Sequence, residues 1–299
     1  MNEIRSSDRM SVAAIILNYF GTEKTLGCLL SLIDEELATI WLVDNSANKA
    51  ELEKLQKALS DLPESLREKV RLLISKENLG FGKAINWAIS QDKNTSLHHT
   101  HYLLLNNDAV VHSGLVRGLC DRMLAEPSCA LAAPRLVYPE FELINGWYYR
   151  HLGYVTFKMT KSRIVLPFLT GCCLLVDSEI ILDSGQLFDD DFFMYGEDIW
   201  LSWYVMSIGR SIASVPEVSL YHEGTGSSKK GTLFYEYHSA RAHVLLAKKI
   251  SRNASESALN LAGRVFYLFL RAILRSVRHH SLLPVKAYLM CWRSRNVFP

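Results

Sequence analysis

At 299 residues, 49% hydrophobic and 21% charged, the chain is long for one domain and apolar enough for a sizeable core, which excludes a disordered or low-complexity polypeptide. A formal net charge of +2, from 33 Lys+Arg against 31 Asp+Glu, excludes the uniformly basic profile of a general nucleic-acid binder. The mean hides a division: residues 229–299 carry thirteen Lys/Arg against two acids, giving +11, while twenty bases and twenty-nine acids leave residues 1–228 at −9.

Met1 to Met10 is polar, and the apolar run Val12–Leu17 is too short for a signal peptide but suits a buried strand ending at Asn18-Tyr19. Leu26, Leu29, Leu30 and Ile33 recur at helical spacing, which predicts a helix over 22–36. Ile40–Val43 reads as a second strand stopped by Asp44-Asn45-Ser46, Lys49–Leu59 as an amphipathic helix, and Val70–Ser75 as a third strand. Gly80–Ile89 reads as a turn feeding a helix, and Tyr102–Leu105 as a fourth strand ending at Asn106-Asn107-Asp108. Apolar strands alternating with helices predict an α/β domain with a mainly parallel sheet covered on both faces, and ligands in such sheets bind beyond the strands' carboxyl ends. Phe168–Val176 reads as one buried strand interrupted by Gly171; residues 199–208 as a buried helix; Gly224–Gly231 as a flexible basic loop. Helix continues to the C-terminus with a break at Pro284, and no stretch reaches the ~18–20 uninterrupted apolar residues of a spanning helix.

Several residues suggest chemistry, each with a plainer reading beside it. Asp108 at a strand end would face the ligand edge, where a divalent cation could bridge it to phosphate; equally, Asn106-Asn107-Asp108 could cap a turn. Glu197-Asp198 precedes an apolar helix, whose N-terminus stabilises an ionised carboxylate suited to a general base, or which the acids merely cap. His222 follows a short strand-like stretch and is either a metal ligand or a hydrogen-bonded structural residue. The six cysteines show no CxxC and no zinc-like spacing, so Cys172 and Cys173 read as small buried hydrophobes and the expected compartment is the cytosol.

In chain order the sequence runs NYF, VDNS, NLGFGKAIN, LLLNND, FLTGCCLLV, FFMYGEDIWL and YHEGTGSS. This succession resembles glycosyltransferase family 2, in its bacterial rhamnosyltransferase-like and galactofuranosyltransferase-like branch, over roughly residues 11–245. The resemblance implies a GT-A fold and a nucleotide-diphosphate sugar donor. Asn18 and Tyr19 would lie beside the nucleotide and Asp44 would contact its base. Asn45, Asn78, Gly80, Lys83 and Asn86 would flank nucleotide and sugar. Asn106, Asn107 and Asp108 take the place of the DxD motif with its first acid replaced, so Asp108, with His222, is the implied ligand to Mn²⁺ or Mg²⁺. Asp198, beside Glu197, is the implied base, while Trp200 and Tyr204 depart from the family's second Asp and its Arg. Tyr237 and Arg241 match a further element, in which Ala242 replaces Asn. The implied reaction is inverting transfer of a sugar, dTDP-L-rhamnose being the expected donor, to a glycan or lipid-linked acceptor in bacterial surface-polysaccharide assembly. Lys229 and Lys230 could close over the diphosphate. The rivals are a nucleotidyltransferase and an inactive polysaccharide-binding scaffold.

Arg264, Arg271, Arg275 and Arg278 fall at intervals of 7, 4 and 3, one helical stripe beside an aromatic-aliphatic face, with Trp292, Arg293 and Arg295 further on. This predicts an interfacial helix whose arginines meet an anionic membrane surface, holding a catalytic part (1–228) at the inner face of the cytoplasmic membrane through a basic helical extension (229–299). Nucleic acid is not an expected partner.

Overall fold

A computed structural model describes residues 10–150, 155–156, 165–182, 184–224 and 231–293. In chain order, β1 (Val12–Asn18), α1 (Thr22–Leu30), β2 (Thr39–Asp44), α2 (Lys49–Ser60), α3 (Glu64–Arg67), β3 (Val70–Ile74), α4 (Gly80–Lys93) and β4 (His101–Asn106) form the first half of the fold. Next come β5 (Ala109–Val111), α5 (Leu115–Ala125), β6 (Cys129–Val137), β7 (Glu142–Leu143), β8 (Trp147–Arg150), β9 (Val155–Thr156), β10 (Val165–Phe168) and β11 (Cys173–Asp177). Then α6 (Glu197–Ser207), β12 (Ser211–His222), α7 (Leu233–Lys249), α8 (Ala254–His279) and α9 (Leu283–Met290) follow.

The main sheet has the order β3-β2-β1-β4-β11-β6-β12-β5, with β7 on β6, and the small second sheet has the order β10-β8-β9. Strand β1 shows why the sheet is covered on both faces. Val12, Ala14 and Ile16 enter one core with Cys28 and Leu29 of α1, while Ala13 and Ile15 enter the other with Ala84, Ile85 and Ala88 of α4. A period-2 strand whose successive residues are all apolar can only satisfy both faces by being a sandwich filling. Strands β1, β2, β3 and β4 are parallel, so their carboxyl ends share one edge, with Asn18 opposite Asp44 and Leu17 opposite Asn106. Strand β11 runs antiparallel between β4 and β6, giving a mixed sheet.

Two element boundaries differ from the sequence expectation. Helix α1 ends at Leu30 rather than at residue 36, because Glu35 is needed elsewhere: its carboxylate accepts the N–H groups of Gly114, Leu115 and Val116, at 2.7, 3.3 and 2.8 Å, at the start of α5. An acid there satisfies orphan donors and the helix dipole together. Residues 168–176 are two strands, not one. Phe168 ends β10 in the small sheet, and the turn at Gly171-Cys172 delivers Cys173 to β11 in the large one. Pro284 lies in the first turn of α9, where a missing N–H costs nothing, so the expected break is present.

The basic C-terminal part is seated on the rest. Leu245 and Leu246 of α7 belong to the core shared with α4 and α6, while Tyr237, Val244, Leu268, Ala287 and Cys291 tie α7, α8 and α9 into a satellite core. Arg241 of α7 donates to the Cys291 carbonyl at 3.1 Å.

Candidate active site

The carboxyl ends of β1 and β2 make the first wall. Asn18 is fully buried; its amide donates to Asp44 Oδ1 at 3.3 Å and to Glu51 Oε1 at 3.4 Å, and its carbonyl oxygen accepts from Thr25 at 2.9 Å. Asp44 also accepts the Ser46 N–H at 3.2 Å. Asn18 therefore fixes Asp44 and the loop after β1, and Glu51 on α2, which the sequence reading missed, is a second acid on the same asparagine. Its only sequence signal was position N3 of a helix opened by Asn48. Tyr19 sits half-buried next to Phe20, with their rings edge to face at 5.0 Å.

Asn45, Asn78 and Gly80 form a second cluster. The Asn45 amide donates to Asn78 Oδ1 and to the Gly80 carbonyl, both at 3.1 Å, and its oxygen accepts the Leu79 N–H at 2.8 Å. Gly80 has φ +75°, and a Cβ there would lie 2.3 Å from the Phe193 carbonyl oxygen. The neighbouring Phe81 N–H donates to that same oxygen at 2.9 Å. Glycine is thus required twice over, once by the left-handed backbone and once by the close approach of the 192–195 loop. Gly80→Ala is expected to cost about 2–3 kcal/mol, read as a lowered midpoint in thermal unfolding; an unchanged midpoint would contradict this account.

Asn86 lies nearly two turns further along α4, with every hydrogen-bonding position of its amide in use. It donates to the Phe188 carbonyl and Asp190 at 2.8 and 3.0 Å and accepts the N–H groups of Leu187 and Phe188 at 2.9 and 3.0 Å. The amide staples the 187–190 turn. The acidic run is likewise engaged, with Lys249 at 2.5 Å from Asp189 and 2.7 Å from Asp191. A cleft of about 520 Å³ runs along α4 beside this turn, lined by Lys83, Asn86, Trp87, Lys93, Gln186 and Asp190 among others; neither Asp108 nor Asp198 borders it. Lys83 faces this cleft.

The third wall joins the end of β4 to the end of β12. Strand β5 pairs antiparallel with β12, setting Ala109 opposite His222. This brings His222 Nε2 to 3.2 Å from Asp108 Oδ1 and 3.5 Å from the Asn106 amide nitrogen. Asn107 turns away, donating to Thr25 at 3.0 Å. Burial acts to raise the Asp108 carboxyl, but hydrogen bonding to His222 and the charges of His222 and Lys24 outweigh it and hold the group below its usual range. Its other oxygen, Oδ2, is buried with no hydrogen-bond partner, as is His222 Nδ1. A buried carboxylate oxygen left unpaired beside an imidazole is a donor set a divalent cation takes, so the residues fit the implied Mn²⁺ or Mg²⁺. Among the described residues no cluster of three or more His, Cys, Asp or Glu side chains is formed.

The turn between β10 and β11 links this wall to the acids of α6. The Asn106 N–H donates to the Cys172 carbonyl at 2.9 Å, and the adjacent Gly171 N–H donates to Asp198 Oδ2 at 3.3 Å. Asp198 also accepts the Ile199 N–H at 2.8 Å. The buried Cys172 thiol is pushed up to about 12 by burial and by the charges of Asp108 and Asp198, which it lies between. Gly196 opens α6 with φ 85°, and a Cβ there would lie 3.0 Å from Ala242 and 3.3 Å from Leu246 of α7, so the loop, the acids and the basic extension are closely packed. Trp200 and Tyr204 stack at 5.5 Å, and Trp200 is buried in the core; the family's charged positions are filled here by packing.

Glu197 and Asp198 are a coupled buried pair. Burial raises both; Glu197, with Oε2 unpaired and Asp198's charge beside it, goes higher, to about 8, while two backbone N–H donors keep Asp198 lower, at about 6. Asp198, with its backbone donors, is accordingly the readier of the two to ionise. A carboxyl raised on folding binds more protons in the native state, so stability falls as pH rises from about 4.5 through about 8. Glu197→Gln should flatten this decline: its melting temperature should exceed that of the parent at pH above 8 and converge with it near pH 5, by roughly 2–4 °C per kcal/mol. Parallel curves for the two proteins would refute the assignment.

A family model described as glycosyl transferase family 2 matches residues 13–184, more than half the chain. The chain belongs to glycosyl transferase family 2. It is a glycosyltransferase, which sets aside the nucleotidyltransferase and scaffold readings. It is 26% identical over 250 residues to N-acetylglucosaminyl-diphospho-decaprenol L-rhamnosyltransferase of two Mycobacterium tuberculosis strains, covering 74% of this chain and 78% of the relative. Among solved structures it is similar to GalNAc-T7 with UDP, GalNAc and Mn²⁺ (TM-score 0.59, 93% of this chain). It is similar too to the Pyrobaculum calidifontis mannosyltransferase PcManGT with GDP-Man and Mn²⁺ (0.58, 95%) and to S. aureus TarS (0.54, 94%). Each is 13% identical to it, and the chain spans 59% of the GalNAc-T7 chain and 81% of each of the other two. These likenesses establish the GT-A fold for this family 2 enzyme.

In this glycosyltransferase the arginine stripe faces inward, a correction to the sequence expectation. Arg264 is fully buried, donates to the Tyr149 hydroxyl at 3.0 Å and lies 5.4 Å from the centre of that ring. Arg271 donates to Ser239 at 2.9 Å, and Arg275 grips Glu236 through two hydrogen bonds of 2.7 and 2.5 Å. Only Arg278 of the four is exposed. The buried acid Glu236 on α7, four residues after its Thr232 cap, draws the cations in. Lys229, Lys230 and Arg295 lie outside the described residues.

Proposed function

We propose that this glycosyltransferase inverts its donor sugar, with Asp198 as the general base. The observation that carries this reading is the pair of hydrogen bonds at Gly171-Cys172, which tie the base to one side and the Asn106–Asp108 strand end to the other. A leaving diphosphate and an attacking hydroxyl require separate groups on opposite sides of the anomeric carbon, and this turn spaces them. Asp198 accepts the acceptor hydroxyl's proton as that oxygen bonds to the anomeric carbon; the bond to the diphosphate breaks from the opposite face, and the configuration inverts. A carboxyl raised towards neutrality is a stronger base than an exposed one while still ionised at working pH. Asp108 and His222 would hold Mn²⁺ or Mg²⁺, which supplies neutralisation of the charge gathering on the diphosphate. Asn18, itself held by Glu51, donates to Asp44 at the proposed nucleotide end.

The proposed donor is dTDP-L-rhamnose, supported by likeness to a rhamnosyltransferase, and the proposed acceptor is a lipid-linked or oligosaccharide glycan of a bacterial surface polysaccharide. We place the work at the inner face of the cytoplasmic membrane, with residues 1–228 catalytic and 229–299 associating with the membrane. Incubation with a panel of nucleotide sugars and Mn²⁺, read by product mass, tests the reading. Transfer, or slow hydrolysis, of the rhamnose donor above the others is expected; preference for another sugar would refute the donor, and turnover of none would refute the function.

A further inference from the structure

We infer that the outward face of α8 is a bilayer-docking surface, lying in the plane of an anionic membrane with its aliphatic and aromatic side chains in the acyl boundary. The inference rests on the membrane placement proposed above, but reverses which side of the helix meets lipid. From Ala258 to Val277, every exposed residue of α8 is apolar. Leu259, Phe266, Leu274 and Val277 are 74, 67, 70 and 68% exposed, and Phe269 and Ile273 lie between them on the same face. Spread along a helix of 26 residues, about 39 Å long, this is a contiguous apolar strip of a size that water-facing surfaces rarely leave uncovered.

Two observations choose the occupant. The rim is uniformly basic: Arg278, Lys286 and Arg293 are exposed, and from Ala254 to Arg293 the only acid is Glu256, which is engaged with Arg252. Anionic headgroups complement such a rim, whereas a second copy of the chain would bring like charges together. The opposite face fixes the orientation. Arg264, Arg271 and Arg275 are bound to Tyr149, Ser239 and Glu236, so a helix crossing the bilayer would tear these contacts and carry three guanidiniums into hydrocarbon. The helix is long enough to span, but its own arginines hold it flat. Helix α9 packs alongside, Phe269 meeting Tyr288 at 5.8 Å, and adds exposed Leu282 and Leu289.

Flotation of the full chain with phosphatidylcholine vesicles, with and without phosphatidylglycerol, tests this against the double variant Phe266→Ser/Leu274→Ser, whose positions are exposed and whose fold is checked by circular dichroism. The parent should float with the anionic vesicles and the variant should lose about tenfold or more of the bound fraction, while donor hydrolysis in solution stays unchanged. Equal flotation of the two proteins, or none by the parent, overturns the inference. So does light scattering that shows the variant splitting a dimer while flotation is unaltered, since the face would then join two copies. Flotation as expected with no sugar turnover would instead refute the functional reading and leave the docking surface standing.

Discussion

Asp198→Asn is expected to lower sugar transfer by about 10³-fold, within the range general bases contribute, with nucleotide affinity close to the parent's. The two backbone donors meet different oxygens, Gly171 at Oδ2 (3.3 Å) and Ile199 at Oδ1 (2.8 Å), so the amide oxygen can keep the shorter bond while the amide nitrogen faces the Gly171 N–H, a loss of about 1 kcal/mol of stability beside the loss of the proton acceptor. Calorimetric titration with nucleoside diphosphate beside a transfer assay separates the two effects. A variant with more than a tenth of parental transfer would remove Asp198 as base. Loss of both nucleotide binding and transfer would assign it a structural role instead.

Glu236→Ala is expected to destabilise the protein by about 3 kcal/mol, at the lower end for breaking a buried ion pair because the arginines are not wholly enclosed. The carboxylate is 1% exposed and is bound by Arg275 through both oxygens, with Arg271 at 3.8 Å. Removing it leaves two neighbouring guanidiniums with no counter-charge between α7 and α8. Burial and the Arg275 charge already lower the pKa of Arg271, so the strain on the remaining pair would rise. Denaturant unfolding measures the loss, and proteolysis should cut first in the C-terminal helices. Replacing Glu236, Arg271 and Arg275 together by apolar residues of similar volume should recover most of the stability, an outcome a purely steric role would not produce.

The sequence was most informative where local patterns decide structure. The run VAAIIL could only be a strand buried on both faces, and the polar residues closing β1, β2 and β4 had to share an edge once those strands were parallel. Asp108 and His222 were paired by the family resemblance alone; nothing local told that they would meet, because the β5–β12 ladder that joins them is a long-range pairing. Asn86 shows a related limit: the motif pointed to a ligand, and nothing local told that its amide would also hold the backbone of residues 187–188. The arginine stripe had the right period and the wrong side, since a helical wheel gives the angle between two faces but not which one finds a partner. That was decided by Glu236, one of only two acids in the basic segment.

The short strand β5 pairs with β12 alone in the sheet order. The turn carrying Asp108 is therefore fastened on its outer side by residues that leave the ribosome more than a hundred positions later, as the separation of 116 between Asn106 and His222 records. A nascent chain that has emerged only as far as residue 184, the end of the family match, contains neither Asp198 nor His222, and β12, which closes the sheet between β6 and β5, is still to come. Until then β5 lacks the strand it pairs with, the kind of open strand that invites wrong pairing and that chaperones shield.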